Sequence, residues 1–382
     1  MIEGLGRRRF LGSAVLGAAT TLLPAAASAE TAPPLRLGDA PTASAAEVSW
    51  KLTSSFPKAL DLLYGGAEDF ARRVALLTGG KFHIEVSPPG EPVSGLQGLD
   101  AVQNGTVDAC QTFLDYFYGK DPAFAVPTAI PFGMNAREQT AFALEGNGND
   151  LLNDFLKDYG VVALPAGNTG AQMGGFFRKE LKSLADLDGL KIRTGGLAGR
   201  VLQKLGAMPE QTPRSELHAA LDKGDIDAVT WVGPYDDQKI EGPEDPGLQK
   251  VAPFYYYPGW WRGGSMVHLV FGKAKYEALS EPFRTALQTA ALATHTSMLA
   301  SYDARNPGAL KQLVVGGAKL RAFPQDVLEA AYRATSDVLK EISDGNPRFK
   351  TLLDATLAFR ADQYLWWQVS EYTFDNFMIR QR

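Results

Sequence analysis

Polar side chains that could bind an anion follow two strand-like runs of the chain. Asn168 and Gln172 come just after a run that ends at Ala166, and Arg193 ends the run of residues 190–193. Ligands of α/β proteins bind beyond the carboxyl ends of the strands, and a guanidinium there can hold a carboxylate through two parallel hydrogen bonds. A lone arginine at a strand end more often makes a structural ion pair, so the position by itself leaves both interpretations open.

Aromatic side chains stand close to further candidate binding residues. Trp231 ends another strand-like run, and Trp260-Trp261-Arg262 follows a Tyr-Tyr-Tyr-Pro-Gly sequence. Such rings could line a ligand cleft. Packing between two domains explains most of them equally well.

The motifs of common enzyme classes are missing from the sequence. No two of the four histidines have the His-x-x-x-His spacing of a helical zinc site, and no Gly-x-Ser-x-Gly or Gly-x-x-x-x-Gly-Lys-Ser/Thr motif is present. Cys110 lies in an apolar strand-like run, where an inert core thiol is expected. We therefore expect a protein that is not an enzyme, with an exported enzyme acting on a carboxylate as the alternative.

Strands and helices alternate along the chain, which is typical of an α/β fold. Residues 48–160 predict a first lobe, to which a strand near 266–272 returns, and residues 161–265 predict a second lobe. Residues 280–382 predict a helical segment that spans both lobes and ends in a C-terminal helix.

The first 29 residues have the three-part layout of an export signal. Arg7-Arg8-Arg9-Phe10-Leu11 precedes an apolar stretch, and Ala27-Ser28-Ala29 offers a cleavage site. Paired arginines followed by Phe-Leu indicate a twin-arginine signal, and the apolar stretch is shorter than the ~20 residues that span a bilayer. Residues 30–47, rich in Ala, Pro, Ser and Thr, predict a flexible linker.

The composition limits the partners. The chain has 382 residues, of which 45% are hydrophobic, and this supplies two domain cores. A formal net charge of −5 argues against a nucleic-acid partner. The single cysteine excludes an internal disulfide and a cysteine-rich metal site.

Seven segments, in this order, resemble one known family. They are Gly119-Lys120-Asp121-Pro122, Ile130-Pro131-Phe132-Gly133, the glycine-rich residues 167–175, Leu190-Lys191-Ile192-Arg193, Trp231-Val232-Gly233-Pro234-Tyr235-Asp236-Asp237, Tyr255-Tyr256-Tyr257-Pro258-Gly259-Trp260, and Asp362-Gln363-Tyr364-Leu365-Trp366-Trp367. The chain is similar through them to the solute-binding proteins of TRAP (tripartite ATP-independent periplasmic) transporters. The branch it resembles binds 2-oxo acids and lactate-like carboxylates.

The resemblance implies a fold of two α/β lobes hinged around a central cleft, with long C-terminal helices. It implies that Arg193 holds the carboxylate of the ligand and that Asn168, Gln172, Tyr116 and Trp231 line or contact the site. In this branch a sodium or calcium ion often bridges protein and ligand. Gln172, the Trp231 carbonyl and two acidic residues would hold the ion.

The chain departs from that pattern at both acidic positions, where Thr230 and Arg262 stand. Two arginines without acids would give the site a charge of +2 and repel a cation, since hard cations need oxygen ligands. We therefore expect a metal-free site with no cofactor, in which Arg193 and Arg262 bind a carboxylate and Thr230 lines the cleft. The alternative is that Arg262 turns to solvent and pairs with Glu241, Glu244 or Asp245.

The resemblance also implies the biological setting. A periplasmic receptor would capture a small organic acid and deliver it to the TRAP membrane subunits, while a sensor-associated binding protein of the same fold is the alternative. The aromatic C-terminal helix could support a homodimer, because some members of the branch dimerise through that helix. The identity of the acid remains open between a 2-oxo acid, a hydroxy acid, a diacid and an aromatic acid.

Overall fold

The structure is a computed structural model that describes residue 38 and residues 47–212, 216–240 and 247–381. The predicted export signal lies outside the described residues, and so does the predicted linker except for Gly38 and Glu47. Within the described ranges, no helix combines the length and the apolar character that crossing a bilayer requires.

A five-stranded mixed sheet forms the first lobe, in the order β2-β1-β3-β10-β4. Strands β1, β2 and β3 run parallel, and β10 runs antiparallel to both of its neighbours. The bounds are β1 (Val48–Ser54), β2 (Phe82–Ser87), β3 (Ala109–Thr112), β4 (Val161–Asn168) and β10 (Met266–Gly272). The lobe's helices are α1 (Leu63–Leu77), α2 (Gly98–Gln103), α3 (Ala136–Glu145), α4 (Gly148–Leu156) and α8 (Lys273–Glu277).

Strand β4 corrects the predicted boundary between the lobes. The sequence predicts residues 161–166 in the second lobe, whereas β4 pairs with β10 in the first sheet, with Leu164 opposite Leu269. Nearly every residue of β4 is buried. A continuous apolar run identifies a buried strand but does not indicate which sheet it joins. The boundary between the lobes lies after β4, not before it as the sequence predicts.

The second lobe contains a six-stranded mixed sheet in the order β11-β9-β5-β8-β6-β7. Its strands are β5 (Gly175–Phe177), β6 (Lys191–Arg193), β7 (Met208–Glu210), β8 (Ala228–Val229), β9 (Phe254–Tyr257) and β11 (Lys319–Ala322). Its helices are α5 (Gly196–Lys204), α6 (Leu217–Lys223) and α7 (Pro234–Asp237). Phe176 of β5 stacks on Tyr255 of β9 at 4.2 Å between ring centroids, and both rings are buried in the lobe's core.

The C-terminal region is helical, as predicted, with one exception. Its helices are α9 (Glu281–Val315), α10 (Gln325–Gly345), α11 (Pro347–Val369) and α12 (Glu371–Ile379). Strand β11 interrupts them and pairs in parallel with β9 of the second sheet; its four residues were too few to show a strand periodicity. Helix α9 contacts β4 and α1 in the first lobe and α7 in the second, so it braces both.

Candidate functional site

A cavity of about 650 Å³ lies between the two sheets and is lined from both lobes. This volume is within the ~300–1,000 Å³ of small-molecule sites. Six of the seven predicted site residues line the cavity, and they are Tyr116, Gln172, Arg193, Thr230, Trp231 and Arg262. The structure therefore brings together residues that are up to 146 positions apart in the sequence.

Arg193 enters the cavity from the carboxyl end of β6. Its Nη1 donates to the Thr230 carbonyl at 3.3 Å, and its guanidinium carbon lies 4.7 Å from the centroid of the Trp231 ring. Burial is the main cause that lowers the pKa of Arg193, and the nearby charge of Arg262 adds to it. Arg193 makes no salt bridge within the described part of the chain, so its charge is available to an anion.

Arg262 also lines the cavity, and its charge is already matched by an acid. Its Nη2 donates to Oδ2 of Asp115, and its Nη1 donates to Oγ of Ser265 at 3.1 Å. The partners that the sequence alternative offered, Glu241, Glu244 and Asp245, lie outside the described residues. The cavity therefore contains an arginine–aspartate pair where the sequence indicated a second unpaired arginine.

Asp115 is a carboxylate of the site that local sequence signals do not identify. It follows β3 in the short turn before Tyr116, its side chain is 11% exposed, and it lines the cavity. Burial raises its pKa, and contact with Arg262 opposes that effect. Its Oδ1 is buried and accepts no hydrogen bond from any described residue. The only sequence signal was adjacency to Tyr116, because Asp115 lies 147 positions from its partner.

Gln172 is anchored through its amide nitrogen. Its Nε2 donates to Oγ1 of Thr169 at 3.1 Å and to Oγ of Ser265 at 2.9 Å. Ser265 thus links Gln172 to Arg262. The Gln172 Oε1 is buried and has no partner within the described ranges, which leaves one amide oxygen for a ligand or a cation.

Thr230, Trp231 and Tyr116 complete the walls of the cavity. Thr230 donates from Oγ1 to the Arg193 carbonyl at 3.3 Å, so the two residues exchange hydrogen bonds. Tyr116 packs edge-on against Phe113 with ring centroids 5.6 Å apart and is 38% exposed. These contacts place polar and aromatic surface around the Arg193 guanidinium.

Asn168 does not reach the cavity, and its predicted role as a ligand contact is corrected here. It is fully buried at the end of β4; its Nδ2 donates to Gln139 at 2.8 Å, and its Oδ1 accepts from the Gly170 backbone at 3.0 Å. Both ends of the amide are occupied, so Asn168 holds the turn that carries Gln172. Its position after a strand could not distinguish support of the turn from contact with a ligand.

Comparisons with known proteins agree on one kind of protein. The family model described as bacterial extracellular solute-binding protein, family 7, matches residues 53–346. The chain is 40% identical over 371 residues, 97% of this chain and 98% of the other, to a monocarboxylate 2-oxoacid-binding periplasmic protein of Nostoc sp..

Two solved structures have the same fold. A TRAP transporter solute-binding protein from Bordetella bronchiseptica is 42% identical with a TM-score of 0.82, covering 87% of this chain and 98% of that one. It is a mixed-occupancy dimer with calcium and picolinate in one site. A TRAP solute-binding protein from Colwellia psychrerythraea with calcium and pyruvate is 30% identical with a TM-score of 0.82, covering 86% and 99%.

The expectation of a metal-free site is wrong, because both of these solved structures hold calcium together with the organic acid. That expectation treats Arg262 as an unpaired cation, whereas the carboxylate of Asp115 neutralises its charge. Within the described residues, no three acidic, histidine or cysteine side chains group closely enough to hold a metal ion. Oxygen ligands are nevertheless present, since the buried Oε1 of Gln172 is of the kind that calcium and sodium accept.

Proposed function

This chain belongs to family 7 of the bacterial extracellular solute-binding proteins, and we propose that it binds a small monocarboxylate through Arg193. It is a periplasmic receptor of the TRAP class that binds small carboxylates. The observation that carries the proposal is the Arg193 guanidinium, which lines a cavity of about 650 Å³ and has no salt bridge among the described residues.

The charges that line the cavity favour a ligand with one carboxylate. Arg193 and Arg262 each contribute +1 and Asp115 contributes −1, so the three side chains sum to +1. A dicarboxylate would bring its second charge close to Asp115, whereas a monocarboxylate can bind Arg193 without doing so. Like charges within a low-dielectric cavity repel strongly, which disfavours diacids.

A cation in this site would be held mainly by neutral oxygens. Gln172 supplies the buried Oε1, and the resemblance adds the backbone carbonyl of Trp231. A bound calcium or sodium ion supplies positive charge that stabilises the carboxylate of the ligand. Because calcium affinity depends on the number of charged ligands, Thr230 and Arg262 in place of two acids predict weak calcium binding.

We propose that the receptor binds its ligand without chemical turnover and delivers it to the membrane subunits of the transporter. Its relatives are named as binding proteins, and the lobes around the cavity fit capture by closure. The rival is an exported enzyme acting on the same acid. Incubating the protein with bound acid and following the acid by mass spectrometry separates the two, since recovery of unchanged acid agrees with a receptor and a product indicates an enzyme.

The test of the function is direct binding to the purified full chain. Titration calorimetry with pyruvate and with lactate, in excess calcium and then in EDTA, should give saturable binding of at least one acid. Succinate, a dicarboxylate, is the matched control and should bind more weakly. Tight binding of succinate with no binding of either monocarboxylate would contradict the charge argument.

We propose that the C-terminal helices mediate a homodimer. Helices α11 and α12 expose a series of large apolar side chains, which are Leu365, Trp366, Val369, Tyr372, Phe374, Phe377 and Ile379. An apolar surface of this kind marks an interaction site. Light scattering should give the mass of a dimer, and a chain that ends before Glu371 should shift toward a monomer.

We propose that the twin arginines direct export. Replacing Arg7, Arg8 and Arg9 together by lysine keeps the positive charge and removes the paired arginines. The uncleaved precursor should then accumulate inside the cell, and cell fractionation followed by immunoblotting measures it. Normal periplasmic levels in this variant would contradict the proposal.

A further inference from the structure

Asp237, the last residue of α7, is a buried carboxylate that packing alone does not explain. Its side chain lies in the interior of the second lobe and makes no salt bridge within the described ranges. Burial raises the pKa of Asp237 to about 7, while hydrogen bonds from the Tyr255 hydroxyl and the Val232 amide oppose that effect. A buried carboxylate without a basic partner is unfavourable, and an apolar side chain of similar volume would fill the same place at lower cost.

The contacts of Asp237 fix the orientation of one peptide group beside the cavity. Its Oδ1 accepts from the Val232 amide at 3.0 Å, and its Oδ2 accepts from the Tyr255 hydroxyl at 2.6 Å. The Val232 nitrogen and the Trp231 carbonyl belong to the same trans peptide group, in which the N–H and the C=O point in opposite directions. The Trp231 carbonyl therefore points away from the buried carboxylate, in a turn whose Trp231 and Val232 line the cavity.

The Trp231 carbonyl oxygen receives no hydrogen bond from any described residue. The next carbonyl oxygen along the chain, that of Val232, accepts from the Met173 amide at 3.1 Å. Met173 follows Gln172, so the turn is held beside the other residue that could bind a cation. A carbonyl oxygen without a donor is of the kind that a hard cation such as calcium accepts.

We propose that Asp237 is a positioning residue, which holds the Trp231 carbonyl oxygen in the orientation that binds the cation accompanying the organic acid. The inference rests on the proposed function, in which a cation and a monocarboxylate share the cavity. Hydrogen-bond partners behind a metal ligand orient that ligand, and their loss lowers metal affinity about 10–100-fold. Because Thr230 and Arg262 replace two acidic ligands, a neutral carbonyl contributes a larger share of the binding.

The test measures calcium binding to the full chain by titration calorimetry, after treatment with EDTA and with pyruvate present. Asp237→Leu removes the acceptor at similar volume, and the Kd for calcium should rise about 10–100-fold. Asp237→Asn keeps an oxygen for the Val232 amide, and the Tyr255 hydroxyl can accept from its NH₂, so its Kd should stay close to that of wild type. Equal losses in both variants would assign the effect to the negative charge and overturn the positioning role.

Asp236 offers the matched control for a general loss of structure in α7. It is fully buried next to Asp237 and accepts from the Tyr302 hydroxyl at 2.6 Å, whereas the Val232 amide donates to Asp237. Asp236→Leu should lower the Tm of the calcium-free protein, as Asp237→Leu does, and leave the Kd for calcium close to that of wild type. A comparable loss of calcium affinity in Asp236→Leu would show that any damage to α7 is sufficient, and the inference would be wrong.

A double variant covers the case in which Asp237→Leu does not fold. Asp237→Leu with Tyr255→Phe replaces both partners of a buried hydrogen bond by apolar groups, which leaves no unpaired hydroxyl. Its Kd for calcium should still rise about tenfold or more, and Asp236→Leu with Tyr302→Phe is its control. Calcium affinity equal to that of wild type in the folded Asp237→Leu/Tyr255→Phe protein overturns the inference.

The wild-type protein separates this inference from the proposed function. Pyruvate that binds more tightly in calcium than in EDTA supports the presence of a cation beside the acid. Pyruvate that binds equally well in both overturns the role of Asp237 and leaves the binding of a monocarboxylate intact. Binding of neither pyruvate nor lactate under either condition overturns the proposed function itself.

Discussion

Replacing Arg193 by methionine is expected to abolish ligand binding without destabilising the empty protein. The carboxylate of the ligand would lose its charge-assisted partner inside the cavity, where the guanidinium is largely buried. Removing one member of a buried ion pair costs about 3–5 kcal/mol, which corresponds to an increase in Kd of about a hundred- to several-thousandfold. The summed charge of the side chains Arg193, Arg262 and Asp115 also changes from +1 to zero.

The ligand-free protein should lose little stability in this variant. Arg193 gives up one 3.3 Å hydrogen bond to Thr230 and a cation–π contact with Trp231, each contributing about 1 kcal/mol. Burial of an arginine without a carboxylate partner among the described residues carries an unfavourable desolvation term that its removal relieves. These effects oppose each other, and the Tm of the empty protein should change by no more than a few degrees.

Calorimetry and thermal unfolding measure the two halves of this prediction separately. For wild type at a ligand concentration about a hundred times Kd, binding stabilises the protein by about 2.7 kcal/mol and raises Tm; for Arg193→Met this shift should vanish. Arg348→Met removes an exposed arginine paired with Asp158 and is the matched control, with unchanged affinity. Affinity within tenfold of wild type in Arg193→Met would refute the role of Arg193.

Three further predictions address parts of the molecule around the site. Burial lowers the pKa of His268 to about 3, so below about pH 6.5 the unfolded chain binds a proton at this residue that the folded protein does not bind. The free energy of unfolding should therefore fall by up to about 1.4 kcal/mol per pH unit from about pH 6.5 toward pH 3. Urea titrations of His268→Gln should show a weaker dependence of this free energy on pH. Gly259→Ala would place a Cβ 2.5 Å from the Gln172 carbonyl oxygen and should weaken ligand binding in calorimetry, whereas Gly308→Ala, which meets nothing within 4 Å inside α9, should raise Tm slightly. The carboxylate of Asp61 accepts hydrogen bonds from Tyr235 and Arg305 and so connects the first lobe to α7 and α9. Asp61→Asn weakens these contacts, and ligand affinity should fall a few-fold, about 1 kcal/mol. An unchanged Kd would show that the contacts are not needed for closure.

The sequence predicted the site in part because local signals placed individual residues at the ends of strands. Arg193 ends β6 as expected, and the motif around Trp231 lies against it. Asn168 shows the limit of that reasoning. Both polar atoms of its amide form hydrogen bonds, to Gln139 and Gly170, and no local sequence pattern predicts those partners. The pairing of Asp115 with Arg262 joins positions 147 residues apart, and one sequence contains no signal for it.

The fold was predictable to a similar extent. The α/β class, the return of β10 and the C-terminal helices follow from periodicity and are present in the structure. Periodicity does not identify strand partners, and for this reason β4 was assigned to the wrong lobe and β11 was missed. Both errors concern long-range pairing, which is settled by tertiary packing and not by local propensity.

The position of β10 in the first sheet bears on the order in which this protein can fold. Val270 pairs on one side with Cys110 and on the other with Ala163. The strand between β3 and β4 therefore comes from residues that follow them by more than a hundred positions in the chain and are synthesised later. Such pairings have high contact order and form slowly. A nascent or truncated chain that lacks residues 266–272 would expose β3 and β4 as two open edges prone to intermolecular pairing. Neither lobe is therefore a contiguous module, and a chimaera that exchanges one lobe with a relative must be joined at several points along the chain.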